Sequence, residues 1–259
     1  MTKHVPNAIT CLNILCGCIA ITLAFSNYNN LSLASLFIFM AAVFDFFDGM
    51  AARLLKAYSN IGKDLDSLAD MVSFGVAPSV IAFQLLNMSL DKTGSGSIIG
   101  GFLGEINSNG TMNSFSTYSI GEILIVFSSF TMAIFSGLRL AKFNNDTRQT
   151  TSFIGLPTPA NAIMWASFPL ILEYGNSTFY CSILYNSWIL LGLIFGMSFL
   201  LVAELPLFSL KFKSLSIKDN KTRFIFIISA IILIAFFTVK AIPIILIWYV
   251  ILSIIHNKV

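Results

Sequence analysis

Residues 44–70 read FDFFDGMAARLLKAYSNIGKDLDSLAD and place four aspartates, Asp45, Asp48, Asp66 and Asp70, where two long apolar runs meet. The rest of the chain is unusually apolar: 56% of its 259 residues are hydrophobic and only 10% are charged. Soluble domains carry about a quarter charged residues, so this composition predicts a membrane protein. Four acids in such a chain need a specific explanation.

Eight apolar runs are candidate transmembrane helices. They lie near residues 7–26, 31–56, 63–90, 119–144, 158–175, 183–206, 222–239 and 241–256. Each is close to the roughly 20 residues that a helix needs to cross the hydrocarbon core. Lipid requires every backbone group to pair within its own segment, so the runs should be helical. We therefore predict an all-α, polytopic membrane helical bundle of about eight transmembrane helices.

The chain is predicted to form a single membrane domain, 1–259, without a soluble module. Residues 1–206 would form a core of about six helices, and residues 207–259 a basic loop followed by a C-terminal helical hairpin. The first run is of span length and contains Asn7, Thr10 and Asn13. It is interpreted as a retained helix and not as a cleaved signal peptide.

Basic residues are distributed unevenly between the two sides that eight crossings define. Both termini then lie on one side, which receives all of the 15 lysines and arginines except Lys92 and Lys240. The positive-inside rule assigns that side to the cytoplasm, so both termini are predicted to be cytoplasmic. The net charge of +3 follows from this topology. No basic patch interleaved with aromatic residues indicates a nucleic acid partner.

Both aspartate pairs have helical spacing at the cytoplasmic ends of the second and third runs. Asp45 and Asp48 are three residues apart, and Asp66 and Asp70 are four apart. Each spacing places both carboxylates on one face of a helix. A short turn around residues 59–62 would make the two helices antiparallel neighbours, so we expect the two faces to converge.

Four converging carboxylates require neutralisation. They repel one another, and each costs a few kcal/mol in a membrane environment. Oxygen-only ligands favour Mg²⁺, Mn²⁺ or Ca²⁺, and a site with two such ions suits displacement at phosphorus. We therefore predict that Asp45, Asp48, Asp66 and Asp70 bind two divalent cations. The alternative is that these aspartates are interfacial charges that simply lie in water beside the membrane. That alternative would explain a single aspartate, but not four at these positions.

Small and basic residues lie between the two acidic pairs. Gly49 and Ala52 leave space beside the helix backbone, Arg53 can meet phosphate oxygens, and Gly62 lets a planar group approach the chain. The complete pattern is Asp45-x2-Asp48-Gly49-x2-Ala52-Arg53-x8-Gly62-x3-Asp66-x3-Asp70. At every fixed position it resembles the signature of the CDP-alcohol phosphotransferase family. Eight specified residues make the resemblance specific.

The resemblance implies an integral membrane enzyme that cleaves the pyrophosphate of a CDP-linked lipid. The phosphatidyl group passes to an alcohol and CMP leaves. The four aspartates would hold two cations, with Mg²⁺ or Mn²⁺ as activating ions and Ca²⁺ as a non-activating occupant. Asp70 would also take the proton from the acceptor hydroxyl. The residues that would line the CDP site are Gly49, Ala52, Arg53 and Gly62.

Asn7, Thr10 and Asn13 form a polar stripe on the first helix, at three-residue steps. Such a stripe either forms hydrogen bonds to neighbouring membrane helices or contacts cytidine. Asn7 and Thr10 are accordingly candidates for the CDP site.

Four flanking stretches resemble the bacterial and archaeal phosphatidylserine synthase branch of that family. They are PNAITCLN (6–13), DSLADMVSFGVAPSVIAF (66–83), GLRLAKFN (137–144) and FIGLPTPA (153–160). This resemblance covers about the first two thirds of the chain and ends near residue 175. It implies CDP-diacylglycerol as donor, L-serine as acceptor, residues 1–206 as the catalytic core and a homodimer. It also implies the prokaryotic cytoplasmic (inner) membrane, with the active site facing the cytoplasm.

Two basic residues, Arg139 and Lys142, lie three apart near the cytoplasmic end of the fourth run. The positive-inside pattern explains Lys142 adequately. Arg139 lies between Leu138 and Leu140, where a charge is expensive. It is therefore the better candidate to bind a lipid phosphate or the serine carboxylate, with Lys142 as a second candidate.

Two alternative functions stay open at this point. The same chemistry with glycerol 3-phosphate or an inositol compound as acceptor is one, although a phosphorylated acceptor calls for additional basic residues near the site. A divalent-cation carrier is the other. It predicts acidic groups deep inside several helices, whereas Glu122, Glu173 and Glu204 lie near the ends of runs. It also leaves Gly49 and Arg53 unexplained.

Overall fold

The structure, a computed structural model, is almost entirely helical. It describes residues 4–26, 28–57, 59–90, 119–145, 152–208 and 220–256. The helices within these ranges are α1 (Val5–Ser26), α2 (Leu31–Leu54), α3 (Asn60–Asp70), α4 (Ala77–Leu90), α5 (Ile120–Phe127), α6 (Thr131–Asn145), α7 (Thr158–Tyr174), α8 (Thr178–Leu184), α9 (Ser187–Val202), α10 (Lys221–Phe237) and α11 (Ala241–His256).

Several of these helical segments can cross a membrane. Five are long and apolar enough: Val5–Ser26, Tyr28–Leu54, Asn60–Leu90, Ile120–Asn145 and Lys221–His256. A bent pair, α8 and α9, makes up to six if it counts as one span. The chain is therefore an all-α integral membrane protein over its described residues. The count of eight crossings and the cytoplasmic position of both termini stay predictions.

The predicted run 183–206 is wrong in its bounds. The chain bends by 77° between α8 and α9, which begins only at Ser187, where the Asn186 side chain caps its first turn. After Val202 the chain leaves the helix and forms strand β2 (Pro206–Phe208), which pairs antiparallel with β1 (Ser152–Ile154). Hydropathy alone locates neither feature, because the break between the helices takes up only Tyr185 and Asn186, and each strand only three residues.

The C-terminal helices α10 and α11 form an antiparallel hairpin. Trp248 Nε1 donates to Ser229 Oγ over 2.9 Å, and Thr222 Oγ1 lies 3.1 Å from His256 Nδ1. The turn between the helices is a short 3₁₀ segment, Thr238–Lys240. Helix α11 also packs against α7.

The segment Asn60–Leu90 is the central element of the bundle. Of the residues in its most apolar stretch, 78% are buried, compared with 33% for the corresponding stretches of Val5–Ser26 and Ile120–Asn145. It consists of α3, a π-helical segment (Met71–Val76) and α4. π-Helical turns inside α-helices often occur at functional sites, and this one begins directly after Asp70.

Close packing of α1 against the π-helical segment depends on Gly17. A Cβ atom at this position would lie 2.5 Å from Ser73 Oγ and 2.9 Å from Ser73 Cα. Ser73 Oγ in turn donates to the Asn13 carbonyl over 2.9 Å. This contact fixes α1 beside the residues that follow Asp70.

A turn at Gly155 sets the start of α7. Gly155 has φ +79°, and its N–H donates to Leu205 O over 3.0 Å, while Leu156 N–H donates to Leu200 O over 2.9 Å. These bonds attach the segment before α7 to the end of α9. A Cβ at Gly155 would lie 2.5 Å from Leu201 O, so a side chain is excluded by both φ and space.

We expect Gly17→Ala to destabilise the protein, because the new methyl group meets the backbone Cα of Ser73 as well as its hydroxyl, and the backbone cannot move aside. Overpacking of this kind costs about 1–3 kcal/mol. Thermal unfolding in detergent measures it. The matched control is Gly192→Ala on α9, where nothing lies within 4 Å of the added Cβ. A Gly17→Ala protein as stable as the Gly192→Ala control would contradict the close packing described here.

Candidate active site

Three of the four predicted aspartates converge at one end of the bundle. One carboxylate oxygen each from Asp45, Asp48 and Asp66 lie within 4.8 Å of one another. Asp48 is buried, and Asp45 and Asp66 are half-buried. We call these three residues the aspartate triad. The helical spacing on α2 brings two of its members together, and packing brings the third from α3.

The two acidic helices meet through α1. Helix α1 packs along α2 and also against α3, whereas α2 and α3 hardly contact each other in the described residues. The two acidic faces converge as expected, although the backbones of α2 and α3 approach each other at few points in the described residues. Because α1 lies against both, a cleft opens between α2 and α3, and the triad forms part of its wall.

The turn between α2 and α3 also differs from the prediction. Helix α2 ends at Leu54, Lys56 has φ +50°, and α3 begins at Asn60. Ser59 caps α3 by accepting a hydrogen bond from the Gly62 N–H over 3.0 Å. Gly62 thus belongs to the first turn of α3 and not to the connecting turn.

Asp70 lies beside the triad, close enough to Asp45 for the two carboxylates to interact electrostatically. Asp70 also interacts electrostatically with Arg139 of α6. Among the four acids, Asp70 is thus the one placed between the triad and a cation from a distant part of the chain.

The donor set of the triad fits a divalent cation. All its donors are carboxylate oxygens, the ligands that Mg²⁺, Mn²⁺ and Ca²⁺ prefer. Asp48 Oδ2 and Asp70 Oδ1 are buried without a hydrogen-bond partner in the described part of the chain. A buried carboxylate oxygen without a partner is costly, and a cation bound between the acids would remove that cost. The acids therefore form a candidate metal centre.

A cleft of about 220 Å³ adjoins the triad. Its lining residues come from α1, α2, α3 and the connecting turn. They are Pro6, Asn7, Thr10, Asp48, Gly49, Ala52, Ala57, Ser59, Gly62, Lys63 and Asp66. Five of the six residues predicted for the CDP site are among them, and the cleft also presents two members of the triad. The predicted metal and nucleotide residues thus share one cavity.

Small residues keep this cleft open. A Cβ at Gly62 would lie 3.0 Å from Asn7 Oδ1 and 2.9 Å from Ser59 Oγ. Thr10 lies beside the acidic wall, where its hydroxyl donates to the Pro6 carbonyl over 3.0 Å. The polar stripe on α1 therefore faces the site at Asn7 and Thr10, whereas Asn13 is fully buried deeper in the bundle.

Arg53 is the predicted CDP-site residue that does not line the cleft. Its side chain is exposed and folds back along α2, where Nε donates to the Gly49 carbonyl over 2.8 Å. The guanidinium consequently lies beside Gly49, at the margin of the cleft and not inside it.

Arg139 and Lys142, which the sequence grouped together, have different environments. Arg139 is only 7% exposed, its Nη1 donates to Thr158 Oγ1 over 3.4 Å, and its guanidinium lies 5.5 Å from the centre of the Phe143 ring. Lys142 is exposed on α6. Of the two, only Arg139 interacts electrostatically with Asp70.

Some residues of the site were not predicted from the sequence. Ser59 had a detectable signal, because a serine directly before a helix is a common N-cap. Lys63 lines the cleft and donates to Asn144 O over 3.5 Å. Thr158 belongs to the stretch FIGLPTPA, but its hydrogen bond with Arg139, 19 residues earlier, had no local signal.

Comparison with known proteins identifies the family. The CDP-alcohol phosphatidyltransferase family matches residues 3–199, and the chain belongs to it. This match extends beyond residue 175, where the resemblance noted in the sequence ended.

Several similar proteins are named CDP-diacylglycerol–serine O-phosphatidyltransferase. The one from Bacillus subtilis is 35% identical over 179 residues, 67% of this chain and 82% of its own. The one from Mycobacterium tuberculosis is 28% identical over 256 residues, 96% of this chain and 74% of its own. The one from Helicobacter pylori is 32% identical over 161 residues, which are 61% of this chain and 54% of its own.

We expect Asp48→Asn and Asp66→Asn each to weaken Mn²⁺ binding by about tenfold or more, because each removes a charged oxygen ligand. Electron paramagnetic resonance titration of the purified protein measures free Mn²⁺ directly. The control is Asp64→Asn, an exposed acid on α3 outside the triad, which should leave the affinity unchanged. Equal weakening by all three substitutions would argue against a triad-bound cation.

Proposed function

We propose that this protein is a CDP-diacylglycerol–serine O-phosphatidyltransferase of phospholipid biosynthesis. It transfers the phosphatidyl group from CDP-diacylglycerol to the hydroxyl of L-serine, giving phosphatidylserine and CMP. The observation that carries the proposal is the shared cavity: acids suited to a divalent cation and the small residues of the family signature line one cleft. The names of the relatives support serine as the acceptor.

In this proposal Asp45, Asp48, Asp66 and Asp70 hold two divalent cations, Mg²⁺ or Mn²⁺. When bound, such ions stabilise negative charge on the transferred phosphorus and on the departing phosphate. Gly49, Ala52, Gly62, Asn7 and Thr10 form the walls for the cytidine nucleotide, and Arg53 meets its phosphates from the margin. The buried acids, the cleft volume and the space beside Gly62 support these roles.

Asp70 is proposed as the general base. The serine oxygen attacks the phosphorus of the phosphatidyl group, and the bond from that phosphorus to the CMP oxygen breaks. CMP leaves with the bonding electrons, and the hydroxyl proton of serine goes to the Asp70 carboxylate. An alcohol is a weak nucleophile near neutral pH, so a carboxylate base at this position raises the reaction rate by about 10²–10⁴-fold.

The reaction is proposed to take place at the cytoplasmic surface of a prokaryotic inner membrane. The distribution of basic residues supports that orientation. The diacylglycerol chains stay in lipid, while serine enters and CMP leaves through water. Resemblance to the family also supports a homodimer, which size-exclusion chromatography with light scattering in detergent tests.

One assay distinguishes this function from its alternatives. Purified protein with CDP-diacylglycerol and Mg²⁺ or Mn²⁺ should release CMP when L-serine is added. Glycerol 3-phosphate, inositol and inositol phosphate should give little or no release. Release with a different alcohol would keep the chemistry and change the acceptor. Protein reconstituted into vesicle membranes that transports Mn²⁺ across the bilayer, without any CMP release, would instead indicate a cation carrier.

Asp70→Asn should reduce serine-dependent CMP release by at least about 10²-fold, because the amide cannot accept the hydroxyl proton. The protein should still insert and unfold at a similar temperature, since the amide keeps the volume of the carboxyl group. Steady-state turnover and thermal unfolding are measured on the same preparation. Near-normal turnover would show that the base lies elsewhere.

Gly62→Ala should raise the KM for CDP-diacylglycerol with little change in the KM for serine. The added methyl group meets Ser59 Oγ and Asn7 Oδ1 at the wall of the cleft. A misplaced substrate of this kind typically costs about tenfold. Gly196→Ala on α9, where nothing lies within 4 Å of the new Cβ, is the matched control. An unchanged donor KM would remove Gly62 from the nucleotide site.

A further inference from the structure

An apolar groove of about 330 Å³ lies between α7 and the C-terminal hairpin. Helix α11 packs against α7, whereas α10 contacts mainly α11 in the described part of the chain. The hairpin therefore meets α7 through one of its two helices, and the space left beside α10 forms the groove. The side chains that line it come from α7, with the residue before it, and from α10 and α11.

The groove is separate from the nucleotide cleft. Among the described residues, the two cavities share no lining side chain. Pro157, Ala160 and Ile163 line the groove, at three-residue steps along α7. Thr158, which is fully buried and accepts a hydrogen bond from Arg139, lies on another face of this helix. Helix α7 therefore presents one face to the polar interior and another to the groove.

The walls of the groove suit a hydrocarbon chain. Apart from Tyr249, the described residues that line it are apolar, and the Tyr249 hydroxyl already donates to the Phe208 carbonyl over 2.9 Å. Ala160, Ile163 and Ile245 are half-buried, so the groove is open at the surface of the bundle. Walls without a filling group lose their van der Waals contacts, and the apolar groups available around a membrane protein are the acyl chains of lipids.

A polar pair lies at one mouth of the groove. Phe226 of α10 and Tyr249 of α11 line the groove. Thr222 is one helical turn before Phe226, and His256 is two turns after Tyr249, so both lie on the sides of their helices that face the groove. Thr222 Oγ1 is 3.1 Å from His256 Nδ1. The mouth is therefore at the end of the hairpin where α10 begins and α11 ends.

The charge around this mouth is positive. Lys221 is exposed and Arg223 is half-buried, on either side of Thr222. Along 211–223 the sequence contains five basic residues and one acid, and 220–256 contains no Asp or Glu. Basic pockets between membrane helices bind the headgroups of anionic lipids. The mouth thus complements a negative headgroup, as the groove complements a chain.

The groove and its mouth are spaced as the parts of one phospholipid. One helical turn, roughly 5.4 Å, separates Thr222 at the mouth from Phe226 in the groove. In a phospholipid the glycerol unit lies between the phosphate and the acyl chains. A phosphate at the level of Lys221 therefore places an acyl chain at the level of Phe226 and Tyr249.

We propose that α7, α10 and α11 form a binding site for one anionic diacyl phospholipid. One acyl chain occupies the groove, and the phosphate pairs with Lys221 beside Thr222 and His256. This lipid is bound outside the nucleotide cleft and is not a reactant, so the site is independent of the proposed function.

Native mass spectrometry of the full-length protein measures this site. The purified protein is exchanged into lipid-free detergent and titrated with phosphatidylglycerol, or with phosphatidylcholine that carries the same acyl chains. The dissociation constant of the first bound lipid is determined for each. The wild type should bind phosphatidylglycerol about fivefold more tightly, the factor expected from one basic residue near the headgroup. Equal affinities would overturn the assignment to an anionic lipid.

Ile245→Trp should abolish the tight site for both lipids, because the indole fills the groove. Ile247→Trp is the matched control, since Ile247 is 54% exposed on the same helix and does not line the groove. Ala160→Leu fills the groove from α7 and keeps the test valid if Ile245→Trp does not fold. Lipid affinities that are the same in groove-filling and control variants would overturn the proposal.

Lys221→Gln should weaken phosphatidylglycerol binding by about fivefold and leave phosphatidylcholine binding unchanged. Lys240→Gln is the charge-matched control, because Lys240 lies in the turn at the opposite end of the hairpin. An equal effect of both substitutions, or a parallel loss of both lipids in Lys221→Gln, would contradict the phosphate contact and overturn the site.

Two further measurements distinguish other occupants. Asp48→Asn alters the nucleotide cleft and should leave both lipid affinities unchanged, whereas a parallel loss would place the bound lipid in that cleft. Light scattering in detergent should give the same oligomeric state for Ile245→Trp and Ile247→Trp. A loss of oligomers confined to Ile245→Trp, with unchanged lipid affinities, would show that a second copy of the chain fills the groove. Either result would overturn the lipid site.

Discussion

The structure depends on one constraint: charged and polar groups inside a membrane bundle need partners. Three carboxylates from two helices lie within 4.8 Å of one another, an arrangement that self-repulsion opposes. The fold maintains it because α1 packs against both α2 and α3 and so holds the two acidic helices in place. A divalent cation bound between the acids would attract each carboxylate and offset their mutual repulsion. Metal binding and local packing would then stabilise the same geometry.

The rest of the bundle serves this arrangement by fixing helices where side chains are small. Gly17 lets α1 approach the π-helical segment that follows Asp70, and Gly62 leaves the wall of the cleft open. In lipid, helices gain little from apolar burial against each other, so close backbone approach and hydrogen bonds carry more of the association. The glycines of the site therefore contribute both to the packing of the helices and to the shape of the cavity.

The polar groups near the site come from two sets of helices. Helices α1, α2 and α3 line the cleft with small residues and acids. Helices α6 and α7 carry Arg139, Thr158 and Asn161, which are buried in the bundle.

The sequence by itself determined what depends on local spacing. Hydropathy located most helices within a few residues, and the pattern from Asp45 to Asp70 indicated both the acidic cluster and the family that the comparison identified. Tertiary structure alone decided which of those residues meet. It placed α1 against both α2 and α3, folded Arg53 back onto Gly49, and paired Arg139 with Thr158. The reason is physical: helical periodicity depends on residues that are close in the sequence, whereas the pairing of buried polar groups is fixed only when helices distant in the sequence pack together.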